Sequence, residues 1–258
     1  MEWVKAEIRD ETGFLSLNNP EALNSFSEAQ AGECLAFLNE CRDKKVRAVV
    51  LSAEPNKHNI WSAGIDIKEL PKGERDPLGY NEPMELLLHA VEEVPFPVIA
   101  AVKGGVWGGA CDLVMTCDIV VADKSATFAI TPAKLCIPYN ITGVLHFVNR
   151  IGLSQAKAMY YTADPVDAET ATQWGIVTYL KDDPFAFAQE LCKKIRRNAA
   201  LSVAAMKEEF RVIAHSTSLT LLEFERIQGL RRTVYNSEDY KEGLASFLEK
   251  RRPVYTGK

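Results

Sequence analysis

The sequence predicts an α/β fold that gives way to helices alone in its last third, and three observations carry that reading. Segments with strand character alternate with segments of helical spacing from Val4 to about Asp123, the pattern of a layered α/β domain. Twice a predicted strand runs straight into a glycine-bearing loop, at Trp61–Ile67 and at Gly104–Gly109. From about Pro184 onward only helical spacing remains, with breaks near Asn198, Ser216 and Asn236.

Apolar residues alternate over Val4–Ile8 and Phe14–Leu17, and Asp10-Glu11-Thr12-Gly13 between them predicts a hairpin. Residues 27–42 carry helical spacing, with Ser25 or Ser27 as N-cap. A strand over 47–53, a polar loop, a helix at about 80–93, a strand over 97–102, a helix from 107 and a strand over 118–123 then follow. Pro71–Gly79 is rich in helix and strand breakers; it reads equally as a lid over a bound substrate or as a static surface loop. No internal repeat or low-complexity segment stands out.

Composition narrows the function classes. With 258 residues, the chain suits one α/β domain with an appendage. Acidic and basic residues are interspersed and the net charge is −5, so no global field favours nucleic acid or an anionic membrane. The six cysteines show neither a C-x-x-C pair nor zinc spacing, and the N-terminus lacks an apolar secretory core; both fit buried thiols in the cytoplasm. No window is long and apolar enough to span a bilayer. His58, His89, His146 and His215 lack ligand spacing and read as surface or core residues rather than metal ligands.

The glycine loops carry the chemistry. Pro97–Val102 delivers the backbone into Gly104-Gly105-Val106-Trp107-Gly108-Gly109, and a helical pattern begins at once. Glycines at such a junction allow a tight turn and close approach to a ligand, and the helix start offers N–H groups without intrahelical acceptors. Trp61-Ser62-Ala63-Gly64-Ile65-Asp66-Ile67 follows the strand at 47–53 in a similar manner. Two loops that each aim one backbone N–H at one point make an oxyanion hole.

Three segments, Ser62–Leu70, Gly104–Asp112 and Ala122–Phe128, resemble the crotonase superfamily of coenzyme A thioester enzymes, and the match runs from about residue 10 to the C-terminus. Arg75–Leu78, Ser125–Pro132, Ile137–Gly143 and Glu223–Arg232 are similar, more narrowly, to the branch that decarboxylates methylmalonyl-CoA. The resemblance implies a spiral of ββα units over 1–195, carrying the thioester site, and a helical trimerisation region over 196–258. It further implies a homotrimer or a dimer of trimers. Coenzyme A enters as part of the substrate, with no prosthetic group and no metal.

Within that resemblance, the backbone N–H groups of Ile65 and Gly109 are the oxyanion donors. The related decarboxylases can carry histidine at position 65; isoleucine leaves the N–H in place and adds apolar wall. Asp112 matches a hydratase glutamate that serves as acid or base. Being one methylene shorter, it withdraws its carboxylate by about 1–1.5 Å, and two readings stand side by side, an assisting role and a helix cap. The second hydratase acid would fall near Ala133, and alanine moves no proton; hydration is therefore disfavoured. Tyr139 and Asn140 are placed over the acyl end, where a hydroxyl and an amide can hold a substrate carboxylate without an opposing charge. The backbone of Ala22, Ala63, Asp66 and Ile67 is implied to hold adenine and pantetheine, with Phe247 and Lys250 as nucleotide contacts.

The reaction expected is decarboxylation of methylmalonyl-CoA to propionyl-CoA and CO₂ through an enolate in the oxyanion hole. A relative of that substrate, ethylmalonyl-CoA or a carrier-bound malonyl unit, is the alternative within enzymes, with a hydratase or isomerase behind it. From another class comes an RNA-binding or scaffold protein, for which Lys193, Lys194, Arg196 and Arg197 form the best basic cluster; on an amphipathic helix they read more simply as a solvated face.

Overall fold

A computed structural model describes residues 1–70, 76, 79–216 and 220–257. Most of the predicted lid, and all of the Arg75–Leu78 motif except Asp76, lie outside the described residues.

The opening hairpin forms from β1 (Val4–Arg9) and β2 (Thr12–Leu17), and Ser27, not Ser25, caps α1 (Glu28–Asp43) by accepting from the Gln30 N–H. The chain then repeats one unit: a long strand, a short strand, and a helix. The first unit is β3 (Ala48–Ala53), β4 (Ile60–Ser62) and α2 (Pro83–Glu93). The second is β5 (Val98–Val102), β6 (Gly105–Trp107) and α3 (Gly109–Thr116). The third is β7 (Ile119–Ala122), β8 (Thr127–Ala129) and α4 (Ile141–Thr162). Next come β9 (Val166–Asp167), α5 (Ala168–Trp174) and β10 (Tyr179–Leu180). Helices α6 (Pro184–Arg196), α7 (Ala200–Ala214), α8 (Leu221–Tyr235) and α9 (Glu238–Leu248) complete the chain.

The long strands and the two-residue β10 form one sheet in the order β1-β2-β3-β5-β7-β10, parallel except for the hairpin, and the other short strands form a second in the order β4-β6-β8-β9, antiparallel at β8–β9. Strand β3 is buried on both faces, so it reads in sequence as an unbroken apolar run. Its Val49 and Leu51 pack with Cys34, Leu38, Leu87, Val91 and Leu113 of α1, α2 and α3. Its Ala48 and Val50 face Ala188, Leu191 and Cys192 of α6. Helix α3 is the centre of the molecule: all residues from Gly109 to Met115 are buried. A carboxylate in such a helix must be paired, which fixes the fate of Asp112.

The second strand of each ββα unit was implied by the resemblance alone, because strands of two or three residues leave no readable alternation. The sheet they form is what builds the site. Strands β4 and β6 are parallel neighbours, with Ile60 opposite Gly105. Their C-terminal ends therefore emerge side by side, bringing the two glycine loops together. At the other end of the chain, α9 lies directly on the 132–137 segment, where a Cβ at Gly243 would come within 2.3 Å of the Leu135 carbonyl oxygen.

Candidate active site

The two loops touch at Gly64, Gly108 and Gly109. Gly64 has φ +90°, and a Cβ there would sit 2.5 Å from the Trp107 carbonyl oxygen and 3.0 Å from the Gly109 nitrogen. Only glycine permits that approach. The Phe26 N–H donates to Gly64 O (2.7 Å) and the Asp66 N–H donates to Phe26 O (2.9 Å), so Ile65 forms a parallel bridge with Phe26. In that pattern the N–H of Ile65 points away from the bridge. Gly109 opens α3, and its N–H has no intrahelical acceptor.

Ile65 and Gly109 share a small cavity of about 60 Å³, together with Ala63, Ile67, Thr131 and Tyr139. Leu70, Pro132, Leu135 and Ile137 complete an otherwise apolar wall. No lysine, arginine or histidine stands among its described lining residues.

Behind Tyr139 lies a buried polar cluster. The Tyr139 hydroxyl donates to Asp112 Oδ2 at 2.9 Å, and Asp112 Oδ1 lies 2.7 Å from His146 Nδ1. Asp112 is wholly buried and His146 nearly so. The carboxylate thus faces a tyrosine and a histidine from other segments, while lying in the first turn of its own helix. Burial disfavours the charged imidazole, but the adjacent Asp112 carboxylate, then Glu92 and Glu85, outweigh it and raise the His146 pKa to about 9. Burial, and next the Asp112 charge, push the Tyr139 hydroxyl well above the ordinary phenol range, so it stays neutral.

Asn140 stands with this cluster. Its Oδ1 accepts from the Gly143 N–H (2.8 Å) to cap α4, and its side chain also bonds Glu85. Its amide holds the start of α4 and the carboxyl of α2 instead of lining the cavity. Glu85 is buried, and desolvation, then the Asp112 carboxylate, lift its pKa to about 7. Gly143 makes room for all of this, since a Cβ there would meet Tyr139 Cε1 at 2.2 Å and Asp112 Oδ2 at 2.7 Å. The Tyr139 ring is set edge-on to Tyr160, which packs edge-on to Phe147. From α8, the Tyr235 hydroxyl donates to Pro138 O (3.0 Å), and Arg231 grips Asp76 with both terminal nitrogens at 2.7 Å.

Ala63 and Ile67 line the cavity, and its approaches hold two further expected residues. The Ala63 N–H donates to Leu23 O (3.0 Å), strapping the Ala22–Leu23 turn beside the first loop, and Asp66 caps the short 3-10 turn Ile67–Glu69. Phe247 and Lys250 sit at the C-terminal end of α9, outside the cavity lining, with Phe247 half exposed. Ala133 is exposed and brings no second carboxylate to the site. Glu85 and Glu92 are absent from the sequence-based reading, and His146 enters it only as a surface or core residue. The one available signal was the spacing of Gly143 and His146, three apart on one helical face that starts at Asn140.

A fold of ββα units with paired backbone donors at an apolar pocket defines a class, and the sequence agrees. The enoyl-CoA hydratase/isomerase family model matches residues 7–258, and the chain belongs to that family, the crotonase superfamily. It is similar to methylmalonyl-CoA decarboxylase of Escherichia coli (strain K12), with 35% identity over 99% of this chain and 98% of the relative. It is also similar, at 30% identity over the full length of both chains, to 1,2-epoxyphenylacetyl-CoA isomerase of the same organism. Among solved structures, methylmalonyl-CoA decarboxylase complexed with 2S-carboxypropyl-CoA superposes with a TM-score of 0.96 at 35% identity, covering 100% of this chain and 99% of the other.

Proposed function

We propose that this chain decarboxylates methylmalonyl-CoA, giving propionyl-CoA and CO₂ without a prosthetic group or metal. One observation supports the reading: Ile65 and Gly109 line one cavity with the hydroxyl side chains of Tyr139 and Thr131, among apolar walls and with no cation among its described lining residues. Loss of CO₂ from a malonyl thioester leaves its electron pair on the thioester as an enolate. The N–H groups of Ile65 and Gly109 meet the oxygen where that charge appears, and each such donor is worth about 3–4 kcal/mol in the transition state. Tyr139, anchored on Asp112, orients the departing carboxylate out of the thioester plane. A cation there would hold the ground-state carboxylate instead, whereas an apolar wall favours neutral CO₂. Asn140 positions Tyr139 by capping the helix that follows it.

Hydration is less well served. Both oxygens of Asp112 are engaged, by Tyr139 and His146, and the second acid is missing at Ala133. The backbone of Ala22, Ala63, Asp66 and Ile67 receives the coenzyme A portion, with Phe247 and Lys250 at the nucleotide end. Helices α7 and α8 leave Leu201, Phe210, Ile213, Leu221 and Leu222 largely exposed, which supports self-association as a trimer through this region. Free thiols at all six cysteines fit a cytoplasmic protein.

The test is mass-spectrometric: the purified protein incubated in parallel with methylmalonyl-, ethylmalonyl-, malonyl- and crotonyl-CoA. Fast conversion of methylmalonyl-CoA to propionyl-CoA, with crotonyl-CoA untouched, is expected. Hydration of crotonyl-CoA, or no turnover of any malonyl thioester, overturns the reading.

A further inference from the structure

Decarboxylation consumes a proton. The substrate carboxylate leaves as neutral CO₂, the C–C electron pair becomes an enolate, and one proton must reach carbon in every turnover. Two hydroxyl side chains line the cavity, Thr131 and Tyr139, and Tyr139 is the one hydrogen-bonded to a buried carboxylate. A tyrosine that gives up its proton next to a buried carboxylate must be refilled at once, and the structure continues past it.

From Asp112 the polar groups continue to a second groove, outside the cavity lining. His146 Nδ1 touches Asp112 Oδ1 at 2.7 Å, and His146 Nε2 lies 3.6 Å from Glu92 Oε1. The same Glu92 oxygen is 3.2 Å from Nε2 of His215, which is one-third exposed. His146 Nε2 is buried and has no hydrogen-bond partner among the described residues. Glu92 and His146 both border this second groove, of about 470 Å³, also lined by Thr116, Lys207 and Arg211. Tyr139 thus stands in the cavity, Glu92 stands in the groove, and two buried groups join them.

We propose, resting on the decarboxylase reading, that His146, fed from the second groove through Glu92, restores through Asp112 the proton that Tyr139 gives to the enolate carbon. At the start of a turnover His146 is the imidazolium, its Nδ1 proton toward Asp112 Oδ1. The tyrosine O–H bond breaks as the C–H bond forms. The His146 Nδ1–H bond breaks as an Asp112 Oδ1–H bond forms, and rotation of the carboxyl about its Cβ–Cγ bond, a soft two-fold torsion, turns that hydrogen to the tyrosine oxygen, where the O–H reforms. Asp112 is left as a carboxylate beside neutral His146, whose remaining proton is on Nε2. Exchange with solvent from the groove moves that proton to Nδ1, and one further proton entering at Nε2 restores the imidazolium. One solvent proton is consumed, one C–H bond is made, and each protein group returns to its starting state.

Such a relay delivers the proton to one face of the enolate, whereas solvent entering the cavity does not, so the product records the route. The experiment uses the full-length wild type, His146→Gln and Glu92→Gln, each turning over methylmalonyl-CoA in D₂O. Turnover and the chirality of the [2-²H]propionyl-CoA are read together. The wild type is expected to give one enantiomer. His146→Gln should lower turnover about 100-fold, the scale of a general acid–base contribution, and give a mixture of enantiomers. Glu92→Gln, nearer the surface and gentler on the core, should lower turnover about tenfold and raise the solvent isotope effect. A purely structural role for His146 would slow turnover and leave one enantiomer, which overturns the relay, as does undiminished turnover in Glu92→Gln. Failure of the wild type to form propionyl-CoA at all is the separate signature that the decarboxylase reading itself is wrong.

Discussion

Gly143→Ala adds a single methyl group, and the structure dictates what that methyl meets. The new Cβ would lie 2.2 Å from Tyr139 Cε1 and 2.7 Å from Asp112 Oδ2. Ordinary contact begins at 3.4 Å, so the Tyr139 ring must retreat by roughly 1.2 Å. The ring is backed by Tyr160, itself packed on Phe147, so the strain spreads into the core. Overpacking of this kind costs about 1–3 kcal/mol. Alanine's higher helix propensity returns at most about 1 kcal/mol. Net destabilisation of up to about 2 kcal/mol is expected, together with a Tyr139 hydroxyl displaced by about an ångström, a misplacement that costs about 100-fold in rate. The assay pairs kcat on methylmalonyl-CoA with coenzyme A affinity and a urea melt. Turnover should collapse while coenzyme A affinity holds, since the atoms nearest the new methyl lie on Tyr139 and Asp112 and not on the Ala63–Ile67 loop proposed to take pantetheine. Turnover within threefold of wild type, in a folded variant, would show that the position of Tyr139 does not matter and would refute the reasoning.

Tyr139→Phe removes the hydroxyl and leaves Asp112 Oδ2 without its donor; kcat should fall about 100-fold or more with KM nearly unchanged, and stability by about 1.5–3 kcal/mol. Equal losses in kcat and KM would count against an orienting role. Gly64→Ala forces a side chain into φ +90° and against Trp107 O; it should destabilise by at least about 1–2 kcal/mol and abolish turnover, read by calorimetry and rate assay. Stability should also depend on pH through His146. Its pKa is about 9 in the folded state against the ordinary 6.5, so the folded protein holds that proton more tightly. The contribution is complete below about pH 6.5 and is lost as pH rises through about 9. Its size is on the order of 3 kcal/mol. Denaturant melts between pH 6 and 10 should show this decline, and His146→Gln should flatten it.

The large sheet and its helices were legible because their burial is regular. β3, β5 and β7 read as short apolar runs, and the predicted helices over 27–42 and 80–93 fall on α1 and α2. The two glycine loops were legible because glycine spacing marks the turns whatever surrounds them. Strands β4, β6 and β8 were not, since three residues carry no period, although their pairing is what sets Ile65 beside Gly109. Asp112 shows the other limit. Near the start of a helix it was equally open to capping; its true neighbours, Tyr139 and His146, come from residues 27 and 34 positions away. Asn140 reads as a free amide in sequence, yet the helix it begins and the buried Glu85 both claim it. Contacts between distant segments decide such cases, and local pattern does not contain them.

The central claim is that the Ile65 and Gly109 N–H groups receive an enolate. A structural relative, methylmalonyl-CoA decarboxylase, has been solved in complex with 2-nitronate-propionyl-CoA, a compound whose planar C2 carries a delocalised negative charge conjugated with the thioester, as in an enolate. Titration calorimetry of that compound against propionyl-CoA tests the claim most directly. The account predicts that the nitronate binds at least about 100-fold more tightly, and that Gly64→Ala erases most of the difference. Equal affinities for the two thioesters in the wild type would contradict it.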